Sequence, residues 1–262
     1  EGGYHTPQAY AKYSPTTSMG HLFRDAGFTM AFGYGETPMM SVLAGRCVGG
    51  SSVLTGGVCF RIPEHVRHHW QHELGLDGLS KRQLDAIYTE LEHDLSVATV
   101  PDSMRSRSTE LFVQGAERLG ISMQAIRRNM SGCKGASRCN FGCPHLAKRS
   151  VDVVMLPEVA QRGCTIVSDA RVSRIVLEGG VARGVRGELL SEDGARKATF
   201  EVRAKRTIVS CGSLHTPILL RRSGLTSPHI GRHLTLHPSF RIAALFDEDV
   251  SGWDGAMQSV YS

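Results

Sequence analysis

GRCVGGSSVLTGGVCFR, residues 45–61, decides how the rest of the chain reads. It places Arg46, the pair Gly49–Gly50 and the pair Ser51–Ser52 within one loop. Glycine carries no side chain, so a flat, bulky group can come close to its backbone. Adjacent N–H groups and hydroxyls can then hold a pyrophosphate or the carbonyls of a ring. A plain Gly/Ser surface loop has a similar composition. Here an apolar continuation follows at once, which predicts a loop packed inside the protein.

The surrounding 262 residues suffice for a sizeable core. Apolar residues make up 41% and charged residues 21%, as in ordinary globular proteins. No apolar run approaches the roughly 20 residues of a membrane helix, so no transmembrane segment is expected. The formal net charge is +5, but no basic run is interleaved with aromatics, which argues against nucleic-acid binding.

GLSKRQLDAIYTELEHDLSV, residues 78–97, is the clearest helix. Ser80 and Gln83 have capping-box spacing, and Leu84, Ile87, Leu91 and Leu95 form an apolar stripe. Further helices are predicted over residues 108–120, stopped by Gly120, and over 150–163, with Pro157 inside. The period then becomes strand-like. Short β runs are expected at 164–169, 171–178, 181–190 and 197–212, with turns at Gly179–Gly180 and Glu192–Asp193–Gly194. A last helix is expected to start near Thr216–Pro217, with proline in its first turn.

Two further motifs bear on function. SCGSLHTPILLRRSG, residues 210–224, runs from a strand through a small-residue turn into a helix. A helix N-terminus of this kind suits a phosphate or a ring edge. EGG at residues 1–3 is an acid followed by two glycines. In a dinucleotide-binding fold such a carboxylate binds a ribose about 20 residues after a glycine-rich phosphate loop.

GRCVGGSSVLTGG resembles the first signature of the glucose–methanol–choline (GMC) oxidoreductases, and GSLHTPILLRRSGL the second. GRHLTLHP, residues 231–238, resembles the segment that follows. The resemblance implies an α/β fold: a Rossmann-like FAD-binding domain, incomplete here, with a helical insertion and the start of a substrate domain. The expected boundaries are 1–60 and 151–235 for the FAD domain, 61–150 for the insertion with its Cys-rich loop, and 236–262 for the substrate domain. It also implies FAD-dependent oxidation of a CH–OH group, on the long-chain-alcohol or sugar dehydrogenase side of the family. The expected cofactor contacts are Glu1, Arg46, Gly49, Gly50, Ser51, Ser52, Thr55, Gly56, Val172, Cys211 and Gly212. Thr55 stands where the family usually has Asn, and Thr226 where the second signature usually ends in Gly. Leu54 stands where some members carry a histidine bonded to FAD, so non-covalent FAD is expected. By the resemblance, the first phosphate-binding strand precedes Glu1 and the catalytic histidine follows residue 262. No catalytic residue is therefore expected within the chain.

Seven cysteines, an odd number, do not read as a disulfide scaffold. Cys164 and Cys211 read as small core residues. Cys133, Cys139 and Cys143 are spaced C-x5-C-x3-C-P, which suits soft metals or an iron–sulfur cluster. Some sugar dehydrogenases of the family hold a 3Fe–4S cluster there and pass electrons to an acceptor protein; a disulfide or free thiols are the other reading. His68 and His72, and His229, His233 and His237, read as separate histidines rather than zinc ligands. Beside the alcohol- or sugar-oxidising enzyme stand two other readings. One is a non-catalytic remnant of the same fold, and the other is an iron–sulfur electron-transfer module.

Overall fold

Thr6 and Ser14 open the first two helices by accepting backbone N–H bonds, and each is followed by proline at the first helical position. These are α1 (Pro7–Tyr10) and α2 (Pro15–Leu22) of a computed structural model that describes residues 2–33, 35, 39–78, 80–235 and 242–262. A short antiparallel pair, β1 (Met30–Ala31) with β2 (Met40–Ser41), precedes the glycine-rich loop. Helices α3 (Glu64–His72) and α4 (Lys81–Asp94) follow, and α4 carries the expected capping box between Ser80 and Gln83. Strand β3 (Val97–Thr99) leads to α5 (Arg107–Arg118), after which Gly120 turns the chain at φ +71°. Next come β4 (Gln124–Ala125), β5 (Arg127–Asn129) and α6 (Val151–Gln161), with Pro157 inside the helix. The chain continues through β6 (Ala170–Glu178), β7 (Val181–Leu190), β8 (Arg196–Arg203), α7 (Gly212–Arg222) and β9 (Val260–Tyr261).

The chain divides into two compact units. One comprises Glu1–Tyr4 and Val167–Leu245. Its centre is the antiparallel meander β6–β7–β8, turned at the expected glycine sites. A Cβ on Gly187, in the middle strand, would stand 2.3 Å from the Arg171 carbonyl oxygen, so only glycine fits there. Helix α7 is pinned to β6 by Ser223, whose Oγ accepts the Ile175 N–H at 2.8 Å and donates to the Leu219 carbonyl at 2.7 Å.

The other unit comprises His5–Ile166 and Phe246–Ser262. Its core is Tyr10, Leu22, Phe23, Cys47, Val53 and Leu54, packed by Tyr13, Met19, Phe141 and Leu146. The glycine-rich loop thus supplies three of the six central side chains, in line with a loop packed inside the protein. Strand β5 pairs with β3, and β4 with β9, both antiparallel.

Three expectations differ from the structure. Residues 164–169 form no strand, and neither do 207–211, because no described strand lies beside them to complete a ladder. All named strand pairs among the described residues are antiparallel. Helix α7 begins at Gly212, so Pro217 is its sixth residue rather than part of its first turn.

Candidate functional site

The loop at residues 45–57 is closed by its own short side chains. The Gly45 N–H donates to Ser51 Oγ at 2.9 Å, and Ser52 Oγ donates to the Gly49 carbonyl at 2.6 Å. Residues Gly50–Val53 form a 3-10 turn. Ser52 Oγ also accepts the Val151 N–H at 3.2 Å, which ties the loop to the start of α6. A Cβ on Gly45 would lie 2.6 Å from the Gly50 carbonyl carbon, and one on Gly49 would lie 2.8 Å from Asp152 Cβ. Gly50 differs: a Cβ there would meet nothing within 4 Å. Val53 and Leu54 point into the core, whereas Arg46, Ser51 and Thr55 are exposed. Gly49, Gly50, Ser52 and Gly56 are half-buried between them.

Two buried cations lie beneath this loop. Lys148 is 3% exposed, and its Nζ donates to the carbonyl oxygens of Val53 at 2.6 Å, Thr55 at 2.9 Å and Cys139 at 2.7 Å. Arg128 is 2% exposed and donates to the carbonyls of Gly56 and Met257 and, at 2.9 Å, to Cys139 Sγ. Burial pushes the Lys148 ammonium down to about 8, against the opposing pull of Cys139, Cys143 and Asp152. Beside them the Tyr10 hydroxyl donates to Asp152 Oδ2 at 2.8 Å. Burial, followed by the Asp152 charge, raises the Tyr10 pKa far above the usual phenol value. Asp152 Oδ1 is buried without a hydrogen-bond partner among the described residues.

Of the expected contacts, the loop gathers Arg46, Gly49, Gly50, Ser51, Ser52, Thr55 and Gly56 in one unit. Val172, Cys211 and Gly212 belong to the other unit. Val172 sits in β6 opposite Gly187, at a register shift. Cys211 immediately precedes α7, and a Cβ on Gly212 would meet nothing within 4 Å. Glu1 lies outside the described residues, as does His237. Cys164 and Cys211 are exposed rather than core residues, since the strands expected to bury them do not form.

The three clustered cysteines do come together. Cys133, Cys139 and Cys143 line one cavity of about 20 Å³ and are free thiols. Among the described residues, however, no group of three or more His, Cys, Asp or Glu side chains is placed to hold a metal ion. The metal reading of these cysteines therefore has no support in the geometry. Cys139 Sγ instead accepts from a guanidinium, and its carbonyl accepts from an ammonium.

Sequence reasoning missed Lys148, Arg128, Tyr10 and Asp152. Arg128 reads as half of an ordinary Arg127–Arg128 pair, and Lys148 as half of a Lys148–Arg149 pair after a proline-marked loop. Nothing in their neighbourhoods along the chain signals burial. No described helix is long and apolar enough to cross a membrane.

Comparison with known proteins adds three findings. The family model described as GMC oxidoreductase matches residues 19–239. An uncharacterized GMC-type oxidoreductase of Mycobacterium tuberculosis is 39% identical over 260 residues, covering 99% of this chain and 40% of that protein. A long-chain-alcohol oxidase of Arabidopsis thaliana is 26% identical over 265 residues, covering 98% of this chain and 34% of that one. The chain thus spans well under half the length of these relatives. Among solved structures, pyridoxine 4-oxidase from Mesorbium loti matches with a TM-score of 0.61 at 18% identity, covering 86% of this chain and 46% of that one. An FAD-dependent oxidoreductase from Chaetomium thermophilum matches with a TM-score of 0.59, also at 18% identity, covering 86% of this chain and 42% of that one.

Proposed function

The chain belongs to the GMC oxidoreductase family, and we propose that the whole protein is an FAD-dependent enzyme that oxidises the CH–OH group of an alcohol. The observation that carries this reading is the open side of the glycine-rich loop. Gly50 leaves free space where any other residue would carry a side chain, and Arg46, Ser51 and Thr55 are exposed on the same loop. Bare backbone flanked by a cation and hydroxyls fits a flat, electron-rich dinucleotide. FAD, when bound, supplies the hydride acceptor.

The chain's own residues bind and orient. Arg46, Gly49, Gly50, Ser51, Ser52, Thr55 and Gly56 of the glycine-rich loop are the proposed cofactor contacts. Val172, Cys211 and Gly212 are proposed as further contacts, and Glu1 as the ribose-binding acid. Leu54 is buried in the core, which favours a cofactor held without a covalent bond from that position. The domain plan of 1–60, 61–150, 151–235 and 236–262 belongs to the same proposal. A long-chain-alcohol oxidase among the relatives supports an alcohol as substrate.

The test is the visible spectrum of the purified whole protein, followed by anaerobic addition of alcohols of graded chain length and of sugars. Flavin bands that bleach with an alcohol are the expected result. A colourless protein would favour the non-catalytic remnant. A broad cluster absorption beneath the flavin bands would revive the electron-relay reading of Cys133, Cys139 and Cys143.

A further inference from the structure

Cys133, Cys139 and Cys143 are free thiols that line one cavity of about 20 Å³. A space of that size holds a molecule close to water in size and excludes bulkier reagents. All three cysteines are half-buried, and Lys134 and His145 of the same lining are exposed, so the cavity lies within reach of solvent. Its surroundings are cationic. Arg128, 2% exposed, donates to Cys139 Sγ at 2.9 Å, and Lys148, 3% exposed, donates to the carbonyl of the same residue at 2.7 Å. Arg138 also lines the cavity, and its Nε is buried without a hydrogen-bond partner among the described residues. A buried donor of this kind is satisfied by a small acceptor. We propose that this cavity is a thiol-oxidation site, in which hydrogen peroxide oxidises Cys139 and one of its two cysteine neighbours resolves the product as a disulfide.

Cysteines that react as nucleophiles sit beside Lys or Arg in partly exposed surroundings, whereas buried structural cysteines are inert. Cys139 has surroundings of the first kind, and Cys47, 2% exposed in the apolar core, has the second. The Cys139 sulfur attacks one peroxide oxygen, the O–O bond breaks, and the thiol proton leaves with the departing hydroxide as water. The product is a sulfenic acid, whose oxygen takes up the small cavity and can accept from Arg138 Nε. A neighbouring thiol, Cys133 or Cys143, then attacks that sulfur. Its proton and the sulfenic hydroxyl leave as a second water, and a disulfide remains. Two thiols are oxidised by two electrons in all, and one peroxide is reduced to two waters.

The experiment treats the whole protein with dilute hydrogen peroxide and follows each cysteine by mass spectrometry, with dimedone to trap sulfenic acid. The same cysteines are followed in protein unfolded in urea, where the cations are no longer held at the sulfur. Cys139 is expected to oxidise several-fold faster in the folded protein than in the unfolded one, while the exposed Cys164 shows no such gain. The end product in wild type should be a disulfide from Cys139 to Cys133 or Cys143 that dithiothreitol reverses. With Cys133→Ser and Cys143→Ser combined, the dimedone adduct at Cys139 should build up instead. Folded Cys139 that reacts no faster than unfolded Cys139, or more slowly than folded Cys164, overturns the proposal. A first adduct on Cys133 or Cys143, or iron carried on these cysteines, overturns it as well. The wild-type comparison does not depend on any variant folding.

Discussion

Gly49 and Gly50 are neighbours, yet a side chain means different things at the two positions. Gly49 has φ +93°, and its Cβ would collide with Asp152 and Val53 of the packed interior. Gly49→Ala is therefore expected to destabilise the protein by more than the roughly 1–2 kcal/mol of left-handed backbone strain alone, measured by denaturant unfolding. Gly50 has φ +56° and faces open space. Gly50→Val also carries left-handed backbone strain, but a Cβ there meets nothing within 4 Å, and its branched side chain stands where the cofactor is proposed to lie. Its expected outcome is loss of flavin retention, read from the absorbance of purified protein. A Gly50→Val protein that stays fully yellow would remove the loop from the cofactor site. Glu92 supplies a second prediction at this scale. It is gripped by Arg61 at 2.8 Å on both oxygens and by Arg127 at 2.9 and 3.0 Å. Hydrogen bonds from Arg61 and then Arg127 hold its carboxyl down to about 2, below the ordinary value of 4.5. A carboxyl depressed in the folded state contributes stability above the unfolded pKa and loses it as pH falls towards the folded one. Glu92→Gln should therefore be less stable than wild type at neutral pH, with the gap closing between pH 4.5 and about 2. A gap that stays constant across that window would contradict the assignment.

Elements are held by local signals at their ends and by distant ones along their faces. At the start of α4 the Ser80 side chain accepts the Gln83 N–H while the Gln83 side chain accepts the Ser80 N–H. Ser80→Ala is expected to cost about 1 kcal/mol, visible as a lowered melting temperature without loss of cofactor. The apolar stripe of the same helix behaves differently. Ile87 is 50% and Leu91 39% exposed, although both lie at core-facing spacing. The period defines which residues share a face, and the surrounding packing decides whether that face is covered. Helix α7 shows the reverse balance. Its sequence places a proline where a first turn would suit it, yet Ser223 anchors the helix to β6 and the helical path extends back to Gly212.

At the scale of the molecule, the chain corresponds to 40% of its Mycobacterium tuberculosis relative, and several of its large apolar side chains stand fully in solvent. Ile208, Ile242 and Leu245 are each at least 90% exposed. Exposed apolar side chains of this kind favour association of the isolated chain. Expressed alone, these 262 residues are expected to aggregate, to retain no FAD and to oxidise no alcohol. Size-exclusion chromatography with absorbance detection checks the first two points, and anaerobic alcohol addition the third. A soluble, yellow, active product would count against this expectation, which rests on the family resemblance.

What the sequence determined by itself was local. The glycine-rich loop, the capping box at Ser80, the stop at Gly120, the hairpin turns at Gly179–Gly180 and Glu192–Gly194 and the family all depend on residues near one another in the chain. Their physics is short-range: backbone conformation, caps and turn closure. The tertiary structure decided the rest. Lys148 reaches Val53 across 95 residues, and Tyr10 reaches Asp152 across 142. No periodicity marks a lysine as buried, because its burial is decided by the carbonyls that the fold brings to it. Strand formation at residues 164–169 likewise depended on a neighbouring strand to pair with, and only the fold shows that Cys139, one of three cysteines read as metal ligands or as disulfide-bonded or free thiols, meets two buried cations.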